Sequence, residues 1–162
     1  MINDQQKQIG ADSSTQREIE AKIVAKIEKE ENFKSVKSVT IEYLDSDNLK
    51  DEVKFEFDFY NAKKKIIGEI YAGIDKISPG SRKKVITDCF KMVYAEKLLG
   101  CPCDKRLIFI DEKIKSVFEG QSWAAKAIDS YGIEIKVEGI SEEDMEKLRD
   151  TKKLQQHSNH KQ

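Results

Sequence analysis

Two acids stand out in the stretch Phe55–Tyr71, which reads FEFDFYNAKKKIIGEIY. Asp58 lies in a run where Phe55, Phe57 and Phe59 alternate with Glu56, Asp58 and Tyr60, the period of a strand with one aromatic face in the core. A polar turn at Asn61-Ala62-Lys63 then leads into a second strand, Lys65 to Ala72. On that strand Ile67, Glu69 and Tyr71 share one face, and Ile66, Gly68, Ile70 and Ala72 the other. A strand apolar on both sides is expected at the centre of a sheet. A carboxylate there costs several kcal/mol to desolvate unless it is paired or binds a metal ion. The short turn predicts that Asp58 and Glu69 meet on adjacent antiparallel strands, with their side chains on one face.

Further charged groups are placed to join them. The first helix is expected from a capping box at Thr15 and Glu18 to about Glu31. Its apolar arc of Ile19, Ile23, Val24 and Ile27 has Glu20 near the middle. Glu20 either approaches the two strand acids or reaches the helix edge and pairs with a lysine. A second helix is predicted from Pro79, behind a Ser78 cap, to about Leu99, with Val85, Ile86, Cys89, Phe90, Met92, Val93 and Leu99 as its apolar face. Arg82, Lys83 and Lys84 load its first turns with cations, against the helix dipole. Such a cluster suits a phosphate-binding surface, here a nucleic-acid backbone, or is a solvated basic face. Lys84, Asp88 and Lys91 have the spacing of a salt-bridge ladder beside the apolar face.

Other motifs are weaker. Asp45-Ser46-Asp47-Asn48 has the composition of a calcium loop without its glycine or closing glutamate, and reads as a turn. Cys101-Pro102-Cys103 has no second pair to complete a metal site and reads as a loop. The two histidines, His157 and His160, lie in a polar end expected to be disordered.

The positioning elements follow in order. Strands are expected at Lys37–Leu44, across the hairpin, at Arg106–Ile110 and at Ile133–Val137; short helices at Lys113–Glu119 and Ser122–Tyr131; and a charged helix from Ser141. Three consecutive strands predict an antiparallel meander, and a helical crossover then feeds a strand that pairs parallel. The fold class is therefore α/β, a mixed sheet flanked by helices, in one domain over 14–150, with residues 1–13 and 151–162 expected to be disordered. Lys and Arg number 29 and Asp and Glu 30, for a net charge of −1, so any nucleic-acid contact must come from a local patch. No apolar run is long enough for a membrane span, and the polar start is not a signal peptide. The three cysteines form no disulfide framework, and a cytoplasmic location is expected. Small size and open hairpin edges suit a homodimer or a subunit of a larger assembly.

This order of elements, with Asp58 and the strand Gly68-Glu69-Ile70-Tyr71, resembles the PD-(D/E)xK, or restriction-endonuclease-like, superfamily over roughly residues 15–137. The resemblance implies an Mg²⁺-dependent (or Mn²⁺-dependent) nuclease acting on DNA, with Asp58 and Glu69 holding the metal and Glu20 assisting. The family's lysine two residues after the second acid is replaced by Tyr71. The resemblance then implies a lysine borrowed from the next helix, Lys84 or Lys91, with Lys76 a weaker candidate. Tyrosine is neutral at pH 7 and does not replace that charge. The alternative is a catalytically inactive domain of this type that binds nucleic acid or a protein; a third reading makes both strand acids structural.

Overall fold

The computed structural model describes the backbone of residues 4–159 and the side chains of residues 14–154. Five strands form one sheet in the order β1-β2-β3-β4-β5: β1 Val36–Leu44, β2 Lys50–Asn61, β3 Ile66–Tyr71, β4 Asp104–Phe109 and β5 Ile133–Val137. β1, β2 and β3 are an antiparallel meander, and β4 and β5 add in parallel. The expected mixed α/β architecture is present, with β3 as the middle strand. No helix among the described residues is long and apolar enough to cross a membrane.

Two cores line the sheet. On one face α2 (Pro79–Leu99) buries Val85, Cys89, Met92 and Ala95 against Phe55, Phe57, Ile67, Leu107 and Phe109. The short helices α3 (Glu112–Ser116) and α4 (Trp123–Ser130) add Ile114 and Ile128. On the other face α1 (Asp4–Glu30) buries Ile19, Ile23 and Ile27 against Phe59, Ile66, Ile70 and Ile108, with Leu148 of α5 (Glu142–Asn159). α2 has the boundaries its residues predict. The Ser78 hydroxyl accepts from the Ser81 N–H at 3.0 Å, Pro79 needs no donor, and Gly100 closes the helix at φ 64°.

Charged pairs fix α1 in place. The Arg106 guanidinium, buried on β4, donates to both Glu31 oxygens at 2.6 and 2.9 Å just beyond the helix end. Lys22 reaches Asp144 of α5 at 2.7 Å, and Lys26 reaches Glu138 at 2.7 Å. These contacts set the helix rotation that carries Glu20.

Several expectations need correction. Phe59 does not share a face with Phe55 and Phe57. Val36 pairs with Tyr60 and Ser38 with Glu56, so Phe57, Asp58 and Phe59 together oppose Lys37 alone. This bulge reverses the alternation, and Phe59 packs into the α1 core over Gly68, its partner on β3. A Cβ on Gly68 would lie 1.9 Å from that ring, so the close approach needs glycine. Thr15 and Glu18 mark no boundary, because α1 already runs from Asp4; the capping-box spacing sits inside a helix. α5 likewise continues through 151–159, where disorder was expected, and the Lys152 ammonium in that stretch donates to the Ile74 carbonyl at 2.6 Å. Residues 1–3 and 160–162 and the side chain of His157 lie outside the described residues. β2 begins at Lys50, ahead of the predicted start: Asp51, Glu52 and Lys54 are exposed and charged, and Val53, opposite Ile41 of β1, is the one apolar residue among them, half-buried against the α2 core. Phe90 of α2 is 72% exposed rather than core, since Val85, Cys89 and Met92 already fill the sheet-facing arc.

Candidate active site

The bulge in β2 builds the site. β2 and β3 pair only from Phe59 onward, so the strands part at Asp58. The Asp58 carboxylate accepts from the Ile70 N–H at 2.7 Å, in place of a backbone carbonyl. One residue before Ile70, Glu69 turns to the α2 face and is 4% exposed. The parting leaves a cleft of about 470 Å³ lined by Gln16, Arg17, Glu20, Lys37, Glu56, Phe57, Asp58, Glu69, Lys84, Asp88 and Lys91.

The structure therefore brings Glu20, Asp58, Glu69, Lys84 and Lys91 to one cleft. Arg82 and Lys83 are exposed on the first turn of α2 and do not line it. Lys76 lines two neighbouring cavities with Ser78 and Lys152 instead. Tyr71, two residues after Glu69, packs its ring edge-on against Phe109 at 6.2 Å and is part of the core wall.

The two candidate lysines are not equivalent. The Lys91 ammonium lies 2.5 Å from Glu69 Oε1, donates to the Glu56 carbonyl at 2.7 Å and meets Asp88 at 3.2 Å. Its stem runs under the Phe57 ring, with the charge 5.2 Å from the ring centre. Lys84 is 65% exposed at its side chain and pairs with Asp88 at 2.7 Å. The ladder of Lys84, Asp88 and Lys91 thus exists, and its last member turns inward to Glu69. Sequence reading assigned Asp88 only to that surface ladder and passed over Arg17 and Lys37. The i, i+4 spacing that placed Asp88 beside Lys84 was its one signal; nothing local marks Lys37, which the bulge brings opposite Asp58.

Burial, with the Asp58 charge second, favours the protonated form of two of the acids. Burial raises the Glu69 carboxyl to about 8, with the Asp58 charge adding to the effect and Lys91 opposing it. Burial also raises Glu20 to about 7, again with Asp58 adding, against Lys84, Lys37 and Arg17. Both lysines stay charged: the Glu69 and Asp88 carboxylates hold Lys91 above its ordinary value, and Asp88 holds Lys84 up, in each case outweighing desolvation. Glu69 Oε1 is buried without a donor in hydrogen-bonding geometry, although the Lys91 charge lies beside it.

Asp58 and Glu69 fit a cation that takes one or two carboxylates and completes its shell with water and phosphate oxygens. Burial is the main cause of the raised Glu69 and Glu20 carboxyls, and a bound cation would offset it. No cluster of three or more metal-ligating side chains occurs among the described residues, so such a site depends on those outside oxygens. No protein family, curated protein or solved structure matches the chain.

Proposed function

We propose that the chain is a metal-dependent nuclease of the PD-(D/E)xK type, hydrolysing DNA phosphodiester bonds at the cleft between β2 and β3. The observation that carries the reading is the inward Lys91, held 2.5 Å from the buried Glu69 on the wall shared with Asp58. A lysine from α2 thereby supplies the charge that Tyr71 lacks.

The roles divide by environment. Asp58 and Glu69 would hold Mg²⁺ or Mn²⁺, which when bound stabilises charge on the phosphate and acidifies an attacking water. Lys91 stays protonated and is anchored on three oxygens, so it acts as a fixed positive charge for the scissile phosphate rather than as a base. Glu20, with its carboxyl near neutrality, suits the group that accepts the water's proton at physiological pH. Arg17, Lys37 and Lys84 ring the mouth and suit the flanking phosphates.

The test is cleavage of linear duplex, nicked duplex and single strands with Mg²⁺ or Mn²⁺. Wild type should cut at least one of these, and Asp58→Asn or Glu69→Gln should each lower turnover about 10²-fold or more. Wild type that cuts none of them sinks the catalytic reading.

A second reading has one observation in its favour. The Ile70 N–H satisfies Asp58 Oδ2, and Lys91 sits against Glu69, so protein groups already balance part of the acid charge. This arrangement supports a nuclease-like domain that binds nucleic acid or a protein without cutting. Retained DNA affinity in the absence of cleavage would identify it.

A further inference from the structure

The outer surface of α2 and α4 carries the largest exposed aromatic side chains of the fold. Trp123, the only tryptophan, is 75% exposed, Phe90 72% and Tyr131 59%. They surround a cavity of about 170 Å³ whose walls also include Ile86, Val93 and Ala127, with no charged residue among its lining. None of these groups belongs to the cleft, which opens elsewhere on α2 through Lys84, Asp88 and Lys91.

We propose that this face is the interface of a two-fold symmetric homodimer, in which an aromatic side chain of each copy enters the cavity of the other. Three lines of argument select a second copy as the occupant. First, projecting aromatic rings and an apolar hole lie side by side on one patch. A two-fold interface requires one patch to be complementary to itself, with residue i meeting j and j meeting i. Second, the patch is neutral, so two copies bring no like charges together, although the chain as a whole is 36% charged. Third, the size fits. Aromatic side chains present roughly 150–250 Å² each. At their observed exposures the three leave on the order of 400 Å² uncovered, about half of the ~800 Å² that each partner contributes to a stable interface. The remainder would come from a polar rim, and Lys126 and Asp129 are exposed on the adjoining turns of α4.

Sedimentation equilibrium of the full chain, at about 1–100 μM, tests the proposal. Wild type should be dimeric in the micromolar range, and the emission of Trp123 should shift to the blue as concentration rises. Trp123→Ala and Phe90→Glu should each weaken association about 30-fold or more, the loss expected for a central aromatic. Both positions are so exposed that the variants keep the fold, which circular dichroism checks. A chain that stays monomeric at 100 μM overturns the proposal, and so does a dimer that survives both substitutions. Cleavage of DNA has no bearing on either outcome.

Discussion

At the residue scale the balance between Glu69 and its neighbours bears on stability and on the proposed chemistry. An unfolded chain ionises Glu69 near 4.5, whereas the folded one keeps its proton to about 8. Between those values the unfolded state binds fewer protons, so burial of Glu69 costs increasing stability as pH rises through that window. Below pH 4.5 both states are protonated and the cost vanishes. Glu69→Gln keeps the shape and removes the ionisation. Its melting temperature should match wild type near pH 4.5 and exceed it by several degrees at pH 8, by differential scanning calorimetry. Equal melting temperatures at pH 8 would mean that Lys91 fully neutralises Glu69. A bound cation would offset the cost of burying these acids, which predicts a metal response. At pH 8, saturating Mg²⁺ or Mn²⁺ should raise the wild-type melting temperature by mass action, and Asp58→Asn should abolish the rise. An unchanged wild type would argue that both acids are structural. Lys91 and Lys84 separate on turnover: Lys91→Met should lower Mg²⁺-dependent cleavage about 10²-fold or more, and Lys84→Met should behave like a surface change. The reverse order would move the catalytic charge to the mouth of the cleft.

At the element scale the site depends on a strand that breaks its own alternation. Phe57, Asp58 and Phe59 opposite the single residue Lys37 part β2 from β3 and send Phe59 across the sheet. Phe59 is 1% exposed and rests on Gly68, so its ring has no room to yield. Gly68→Ala should therefore destabilise the fold by about 1–3 kcal/mol, by the usual cost of overpacking. It should also weaken the metal response, because Gly68 precedes Glu69 on the strand. A variant as stable as wild type in urea would show that the ring moves freely. The bulge also explains what the sequence discloses and what it hides. α2 is legible end to end because Ser78, Pro79 and Gly100 are local signals, and β5 because its apolar residues alternate without interruption. The meeting of Asp58 and Glu69 is legible from the short turn between their strands, whereas Glu20, in the apolar arc of its helix, stays open between those acids and the helix edge. The bulge is not legible, since FEFDFY alternates well enough to pass as a regular strand. Asp51, Glu52 and Lys54 leave Val53 as a lone apolar residue with no period to report, so the outer half of β2 is hidden too. Phe90 reads as core because periodicity reports an apolar arc and not which part of it the sheet covers.

At the scale of the whole molecule, electrostatics set the terms for any nucleic acid. A chain of net charge −1 has no long-range attraction for DNA, so on the proposed reading affinity comes from the few cations at the cleft. Arg17, Lys37 and Lys84 line its mouth, and Lys91 lies deeper against Glu69. About three phosphate contacts give a slope of log K against log salt of roughly −3 for duplex DNA. Lys37→Glu should flatten that slope by about one unit and weaken binding to all sequences alike, because phosphate contacts carry no sequence information. Glu69→Gln should act oppositely without metal: it removes an acid that repels phosphate at pH 8, so affinity should rise there and stay unchanged at pH 5, where Glu69 is already protonated. Fluorescence anisotropy with a short labelled duplex, over a range of salt and at both pH values, reads all three effects. A slope much steeper than −3 that ignores Lys37→Glu would place DNA on another surface, with Arg82, Lys83 and Lys76 the exposed cations nearest to hand. The cleft would then have lost its claim to the substrate, whatever its acids bind.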